Sequence, residues 1–398
     1  MAESTLITTL MRPFVKRGQD AAFTLPGALG AESRVLCIDS GDLADLVFHA
    51  PLLTAYKRRH PGAAMDFLVP ESHVDLVAQS GLAHHCVVYR EGQLNPWRPA
   101  YGSLLRKLGA GHYDVAVVMS FQPHPRLELG ALASGAPLRL GPSHADNWPA
   151  VNFEVRRPPD AGGYYGDRMT TVAPFLGFAA AELKPRWPLP GDRLRHMAQQ
   201  VHFHKPNPDH LLVGIDPGVS KGGHAFAPEN LQFLVRQLAT QLVCKVIPLA
   251  DPADRERLDR FTARLPETPL GLPRATLMDM MLIASQCDLF LGGNTDLMHF
   301  AVAMGVPTVA LFGEDEDPCY RPVGRARARV LDVASGEKVD IETLMEAVEA
   351  VTGGRTGRPT TVLAPTVETT PADQPAPADP PAPADAGPDD GTAPDVDG

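Results

Sequence analysis

Short apolar runs alternate along this chain with stretches in which apolar residues recur every three to four positions. Val35–Ile38, Met65–Val69, Cys86–Tyr89 and Val115–Met119 are runs of four or five residues, too short for helices, and they predict strands. The spacing between them predicts helices, the first running through Lys57-Arg58-Arg59, and Leu138–Leu140 adds a short strand. A βαβα order places helices on both faces of a parallel sheet. A second block begins at Leu211, with strands expected at Leu211–Ile215, Lys245–Leu249, Asp288–Leu291 and Thr308–Phe312 and a last helix near Ile341–Val351. The pattern therefore predicts an α/β chain of two Rossmann-like, doubly wound domains facing across a cleft, with ligands at the carboxyl ends of the strands.

The boundaries follow from where the rhythm stops. Residues 1–32 form a lead-in, 33–180 the first domain, 181–209 a linker and 210–353 the second domain. The whole stretch 142–209 reads as irregular, being rich in Pro, Gly and aromatics. Residues 354–398, dominated by Pro, Ala, Asp and Thr, are expected to be a disordered acidic tail, because they hold too little apolar material to offset ordering entropy.

Length and charge narrow the picture. A chain of 398 residues suits two domains with extras. Its net charge of -11 argues against a nucleic-acid partner, which would want a basic face. Cys37, Cys86, Cys244, Cys287 and Cys319 form no C-x-x-C pair and read as buried, reduced thiols. No apolar run reaches the roughly 18 residues of a membrane helix, and no signal-peptide core precedes the first domain, so a cytoplasmic location is expected. Arg12, Lys16 and Arg17 in the lead-in are compatible with peripheral contact with an anionic inner-membrane surface.

Three turns carry candidate chemistry. Gly292-Gly293-Asn294-Thr295-Asp296 ends a strand and opens a helix that Gly305 closes. Asn294 or Thr295 suits its N-cap, and the free N–H groups of Thr295, Asp296 and Leu297 would form an anion site. In Val213–Glu229 a strand runs into a glycine-rich loop, with Lys221 and His224 as cations suited to a diphosphate, before a helix that starts near Pro228. At the first strand-to-helix turn, Asp39, Asp42 and Asp45 crowd together; one reads as a helix cap, and the group offers a general base facing the cleft. The His84-His85 and His202-x-His204 pairs lack a nearby Cys or carboxylate cluster, so no metal site is expected.

In order from Arg34 to Gly324, these motifs resemble glycosyltransferase family 9, the ADP-heptose lipopolysaccharide heptosyltransferases. The strongest part of the likeness is Gly-Gly-Asn-Thr-Asp-Leu-Met-His followed by Gly-Val-Pro-Thr-Val-Ala-Leu-Phe-Gly. Leu43-Ala-Asp45 through Pro51 and Leu53 resembles the family's opening pattern, which implies Asp45 as the catalytic aspartate. Pro217-Gly-Val-Ser220, with His224 further on, resembles its donor loop. Asp254 falls on a ribose-contacting position and Arg126 on an acceptor-side arginine. Ala44, His224 and Asn294-Thr295-Asp296 stand where the family has Gly, Lys and Asp-Ser-Gly.

The resemblance implies a GT-B fold and an inverting transfer of a sugar, heptose by implication, from a nucleotide-diphospho-sugar to a lipopolysaccharide-core, glycan or lipid-linked acceptor. It implies no metal and no cofactor beyond the nucleotide-sugar co-substrate, which would be ADP-linked. Asp45 would be the base; Ser220, Lys221, His224, Asp254, Asn294, Thr295, Asp296 and Leu297 would hold the donor, and Arg126 the acceptor. Two other readings stay open on the departures: a nucleotide-sugar binder without catalysis, and a GT-B-like nucleotide-sugar epimerase.

Overall fold

In the computed structural model the described residues are 23–355, except 28, 158–162, 206, 222–227, 266–268, 271, 273–275 and 334–338. The basic lead-in residues, His224 and the acidic tail lie outside them.

The first sheet contains β1 (Arg34–Asp39), β2 (Ala64–Pro70), β3 (His85–Tyr89), β4 (Val115–Met119), β5 (Leu138–Pro142) and β6 (Phe153–Val155). Their order is β3-β2-β1-β4-β5-β6, all parallel. Parallel pairing requires crossovers, supplied mainly by α1 (Leu43–Arg59), α2 (Val74–Gln79), α3 (Pro99–Gly109) and α4 (Pro125–Ala133). These bury the sheet on both faces. Along β1, Val35 and Cys37 enter one core cluster while Leu36 and Ile38 enter another on the opposite face.

After α5 (Arg168–Val172) and α6 (Gly191–His204) comes the second sheet, built from β7 (Leu211–Asp216), β8 (Cys244–Pro248), β9 (Leu289–Gly292), β10 (Thr308–Phe312) and β11 (Ala328–Asp332). Its order is β11-β10-β9-β7-β8, again all parallel. The helices here are α7 (Pro228–Gln241), α8 (Arg255–Thr262), α9 (Leu277–Ala284), α10 (Asp296–Met304) and α11 (Ile341–Thr352). One core cluster runs through both halves, from Phe48 and Leu52 on α1 to Met298 and Phe300 on α10. Each of these side chains is almost wholly removed from water, worth roughly 1.5–3 kcal/mol apiece.

Each sheet has one point where the chain reverses its direction of growth: between β1 and β4 in the first, between β7 and β9 in the second. In open parallel sheets, ligands bind outside the carboxyl ends of the strands at such a point. All three turns singled out in the sequence leave strands that border these two points.

Four elements were not expected from the sequence. β6, the short α5 and the 14-residue α6 lie within the stretch read as irregular, and β11 lies beyond the last predicted strand. On α6 only Met197 and Val201 are buried, so its apolar stripe is thin. On β11, Arg329 and Asp332 interrupt the apolar run. The cysteines are all free thiols, but Cys86 and Cys244 are only half-buried, contrary to expectation. They sit on β3 and β8, edge strands with a neighbour on one side only.

Candidate active site

The first switch point is built around three aspartates with three different jobs. Asp39, at the end of β1, is fully buried; its carboxylate accepts from Gly41 N (2.9 Å) and bonds His73 Nδ1 (2.8 Å), and its carbonyl accepts from Tyr89 Oη (2.8 Å). These bonds fix the turn, which Gly41 completes at φ 88°, a conformation that favours glycine. Asp42 is the N-cap of α1, its Oδ1 accepting from the N–H groups of Ala44 (2.9 Å) and Asp45 (3.3 Å). Asp45, in the first turn of α1, carries neither duty. Its carboxyl is buried; Ser40 Oγ donates to Oδ2 at 3.2 Å, and Oδ1 has no hydrogen-bond partner among the described residues. Burial, reinforced by repulsion from Asp42, raises the Asp45 pKa well above the ordinary carboxylate range, against the pull of Lys221, Ser120 and Ser40.

At the second switch point Thr295 caps α10, accepting from Met298 N (3.3 Å) while donating its hydroxyl to Asp216 Oδ2 (2.6 Å). The other oxygen of Asp216 accepts from Gly218 N at 2.8 Å. A Cβ on Gly218 would lie 2.8 Å from that oxygen and 3.0 Å from Asp254 Oδ2, so only glycine lets the loop pass this close. Burial pushes Asp216 up to about 7. Asp254 Oδ2 accepts from Val219 N (3.4 Å), which brings the expected ribose-side carboxylate onto the expected donor loop. Ser220, next in that loop, is buried.

Lys221 joins the two halves. Its Nζ lies 2.6 Å from Asp42 Oδ2 and 2.5 Å from Asp296 Oδ1, and its backbone N–H donates to Asn294 O (2.8 Å). Asp296 Oδ1 also accepts from Ala44 N (3.3 Å). The first turns of α1 and α10 thus face each other with the ammonium between them. Burial works against the charged ammonium, but the two carboxylates outweigh it and raise the Lys221 pKa. Burial and repulsion from Asp42 raise Asp296 against the opposing pull of Lys221. Of the three carboxylates gathered around the ammonium, Asp45 is the most deeply buried.

The first turn of α10 differs in one respect from the sequence expectation. The Thr295 N–H, read there as part of an anion site, donates instead to Gly293 O (2.8 Å). The N–H groups of Asp296 and Leu297 precede the first intrahelical bond, from His299 N to Thr295 O, and have no acceptor among the described residues. The Leu297 side chain is core. His299 is a buried structural bridge, with Nδ1 on Tyr164 Oη (3.0 Å) and Nε2 on Asn294 Oδ1 (2.8 Å). Burial, then Lys221, holds its pKa well below the ordinary histidine value, so the ring is neutral. Tyr165 is likewise core.

A cavity of about 910 Å³ opens beside the first switch point, lined among others by Ser40, Gly41, Arg90, His124 and Arg126. It brings the expected acceptor arginine and the serine that holds Asp45 to one space. Sequence reasoning missed Ser40, Asp216 and the Tyr164–His299 bridge, whose partners are far apart in the chain. Among the described residues no group of His, Cys, Asp and Glu side chains is arranged to hold a metal ion.

Two parallel, doubly wound sheets, joined at their switch points by Lys221 between Asp42 and Asp296, define the class: a fold of two Rossmann-like halves. The family model of glycosyltransferase family 9 (heptosyltransferase) matches residues 101–348, more than half of the chain, and the chain belongs to that family of glycosyltransferases. The match begins beyond α1, so the role of Asp45 rests on its own geometry.

Solved structures share the fold. The glycosyltransferase family 9 protein of Veillonella parvula superposes with a TM-score of 0.62 at 17% identity, covering 80% of this chain and 97% of that one. ADP-heptose lipopolysaccharide heptosyltransferase II of E. coli gives 0.58 at 21% identity, with 80% and 98% covered. E. coli heptosyltransferase WaaC with ADP gives 0.60 at 15% identity, with 79% and 99% covered. The architecture is therefore GT-B. No curated protein sequence matches the chain.

Proposed function

We propose that this glycosyltransferase is inverting and metal-independent. It moves a sugar, heptose in this reading, from an ADP-linked donor to a lipopolysaccharide-core or other glycan acceptor, lipid-linked or free. The supporting observation is Asp45: a buried carboxyl with one oxygen unpartnered among the described residues, the other held by Ser40, which lines the cavity that also contains Arg126. An acceptor hydroxyl brought into that space attacks the anomeric carbon from the side opposite the diphosphate. The new C–O bond forms, the bond to the diphosphate oxygen breaks, and the hydroxyl proton passes to Asp45, leaving the anomeric configuration inverted.

The departing nucleoside diphosphate takes the electron pair. Lys221, the N–H groups of Asp296 and Leu297, and the positive end of α10 offer the stabilising charge; fixed groups of this kind usually supply the largest catalytic contribution. To reach the diphosphate, Lys221 leaves Asp42. ADP is the preferred nucleotide in this reading because WaaC of E. coli, a structure of the same fold, carries it. Among the described residues no helix is long and apolar enough to cross a membrane. Contact with a lipid-borne acceptor would therefore be peripheral; Arg12, Lys16 and Arg17, the candidates for it, lie outside the described residues.

The test is calorimetric titration of ADP, UDP and GDP into the wild type and a Lys221→Ala variant. Selective binding of ADP that weakens at least tenfold in the variant supports the cleft as the donor site. Equal affinity in both proteins, or no nucleotide binding, removes the donor assignment.

A further inference from the structure

A second cavity, of about 550 Å³, lies at the opposite end of α10 from Thr295, under the starts of β10 and β11. Its lining includes four cationic side chains, Lys184, Arg186, Arg325 and Arg327, and among the described residues no carboxylate. In a protein of net charge -11 this is a local inversion of sign. Arg325 is paired with Asp167 at the margin (2.5 Å) and its Nε is buried without a partner among the described residues. Arg327 donates to the Gly305 carbonyl (3.1 Å), covering the helix end that would otherwise repel an anion. Lys184 and Arg186 are exposed and have no acidic partner among the described residues. Both sit on the Lys184-Pro185-Arg186-Trp187-Pro188 segment, which the two prolines stiffen and the buried Trp187 anchors. The backbone that carries Lys184 and Arg186 is therefore held before any ligand arrives, which lowers part of the ordering cost of binding.

We propose that this cavity is an anion site for a phosphate- or diphosphate-bearing molecule, separate from the donor cleft. Its volume falls in the range of small-molecule sites. Clustered cations in a concave, partly desolvated space favour a multiply charged phosphate over a single carboxylate. The phosphate group could be borne by a soluble ester or by a lipid headgroup, and the two sources are separable by experiment.

The experiment is calorimetric titration of inorganic pyrophosphate into the wild type, a Lys184→Ala/Arg186→Ala variant and the Lys221→Ala variant, with circular dichroism to confirm folding. Pyrophosphate binding that survives in Lys221→Ala and weakens at least tenfold in the double variant supports the site. Co-sedimentation with phosphatidylglycerol vesicles then assigns the source. Vesicle binding lost in the double variant and displaced by pyrophosphate points to a headgroup, and its absence to a soluble ester. Identical pyrophosphate isotherms in the wild type and the folded double variant overturn the proposal. So does loss of all binding in Lys221→Ala, which would place the only anion site in the cleft and leave the donor reading intact.

Discussion

Lys221 Nζ and Asp42 Oδ2 lie 2.6 Å apart, one on the loop that follows β7 and the other on the N-cap of α1. The pair ties together the two halves of the chain at the place where a donor diphosphate would enter. Asp42 is in this sense a competitor of the donor for the same ammonium, and several expectations follow from the exchange.

Replacing Asp42 with Asn keeps a good helix cap but removes one of the two charges on Lys221. ADP affinity is expected to rise on the order of tenfold, the equivalent of about 1.4 kcal/mol. Calorimetry on the Asp42→Asn variant reads this directly; weaker binding would instead make Asp42 a direct contact of the donor.

The same substitution should alter the pH profile. A base works ionised, so activity rises with pH through the Asp45 pKa. Burial raises that pKa first and Asp42 second. The acid limb of kcat/KM in Asp42→Asn is therefore expected at lower pH than in the wild type. An unmoved limb would mean that the titrating group is not Asp45.

Asp216 predicts a stability effect. Its folded pKa of about 7 stands above the unfolded value near about 3.9, so the native state holds the proton more tightly. Its favourable contribution is complete below the unfolded value and declines as pH rises towards 7. In urea titrations between pH 4 and 8 the wild type should lose stability, by up to roughly a few kcal/mol for a shift of this size. Asp216→Asn, which can still accept from Gly218 N, should flatten that decline. A wild-type curve that rises over this range would refute the assignment.

The Tyr164–His299–Asn294 bridge makes a prediction about packing. Tyr164→Phe leaves His299 Nδ1 buried without its partner, at a cost of about 1–3 kcal/mol. The urea midpoint should fall accordingly, and an unchanged midpoint would show that the bond contributes nothing net.

Much of this arrangement was legible in the sequence because it is local. Period and run length located strands of both sheets, and Thr295 and Gly305 bracket α10 as their residue types suggest. Asp42, Asp45, Lys221 and Asp296 were each visible at strand-to-helix turns. What local pattern does not carry is who meets whom. Thr295 and Asp216, Tyr164 and His299, and Lys221 and Asp42 are bonded pairs separated by 79, 135 and 179 positions. The same limit applies to α6, whose few buried positions leave a weak period, and to β11, whose charged residues mask a strand that gains its order from pairing with β10.

The proposed transfer depends on Asp45 taking the proton of the acceptor hydroxyl. Its most direct test is release of ADP from ADP-heptose in the presence of a lipopolysaccharide-core acceptor, by the wild type and by Asp45→Asn, with donor affinity measured for both. Turnover is expected to fall by about 10²–10⁴-fold in the variant while donor affinity stays within a few-fold. Full turnover in Asp45→Asn would contradict it and move the base elsewhere in the cleft.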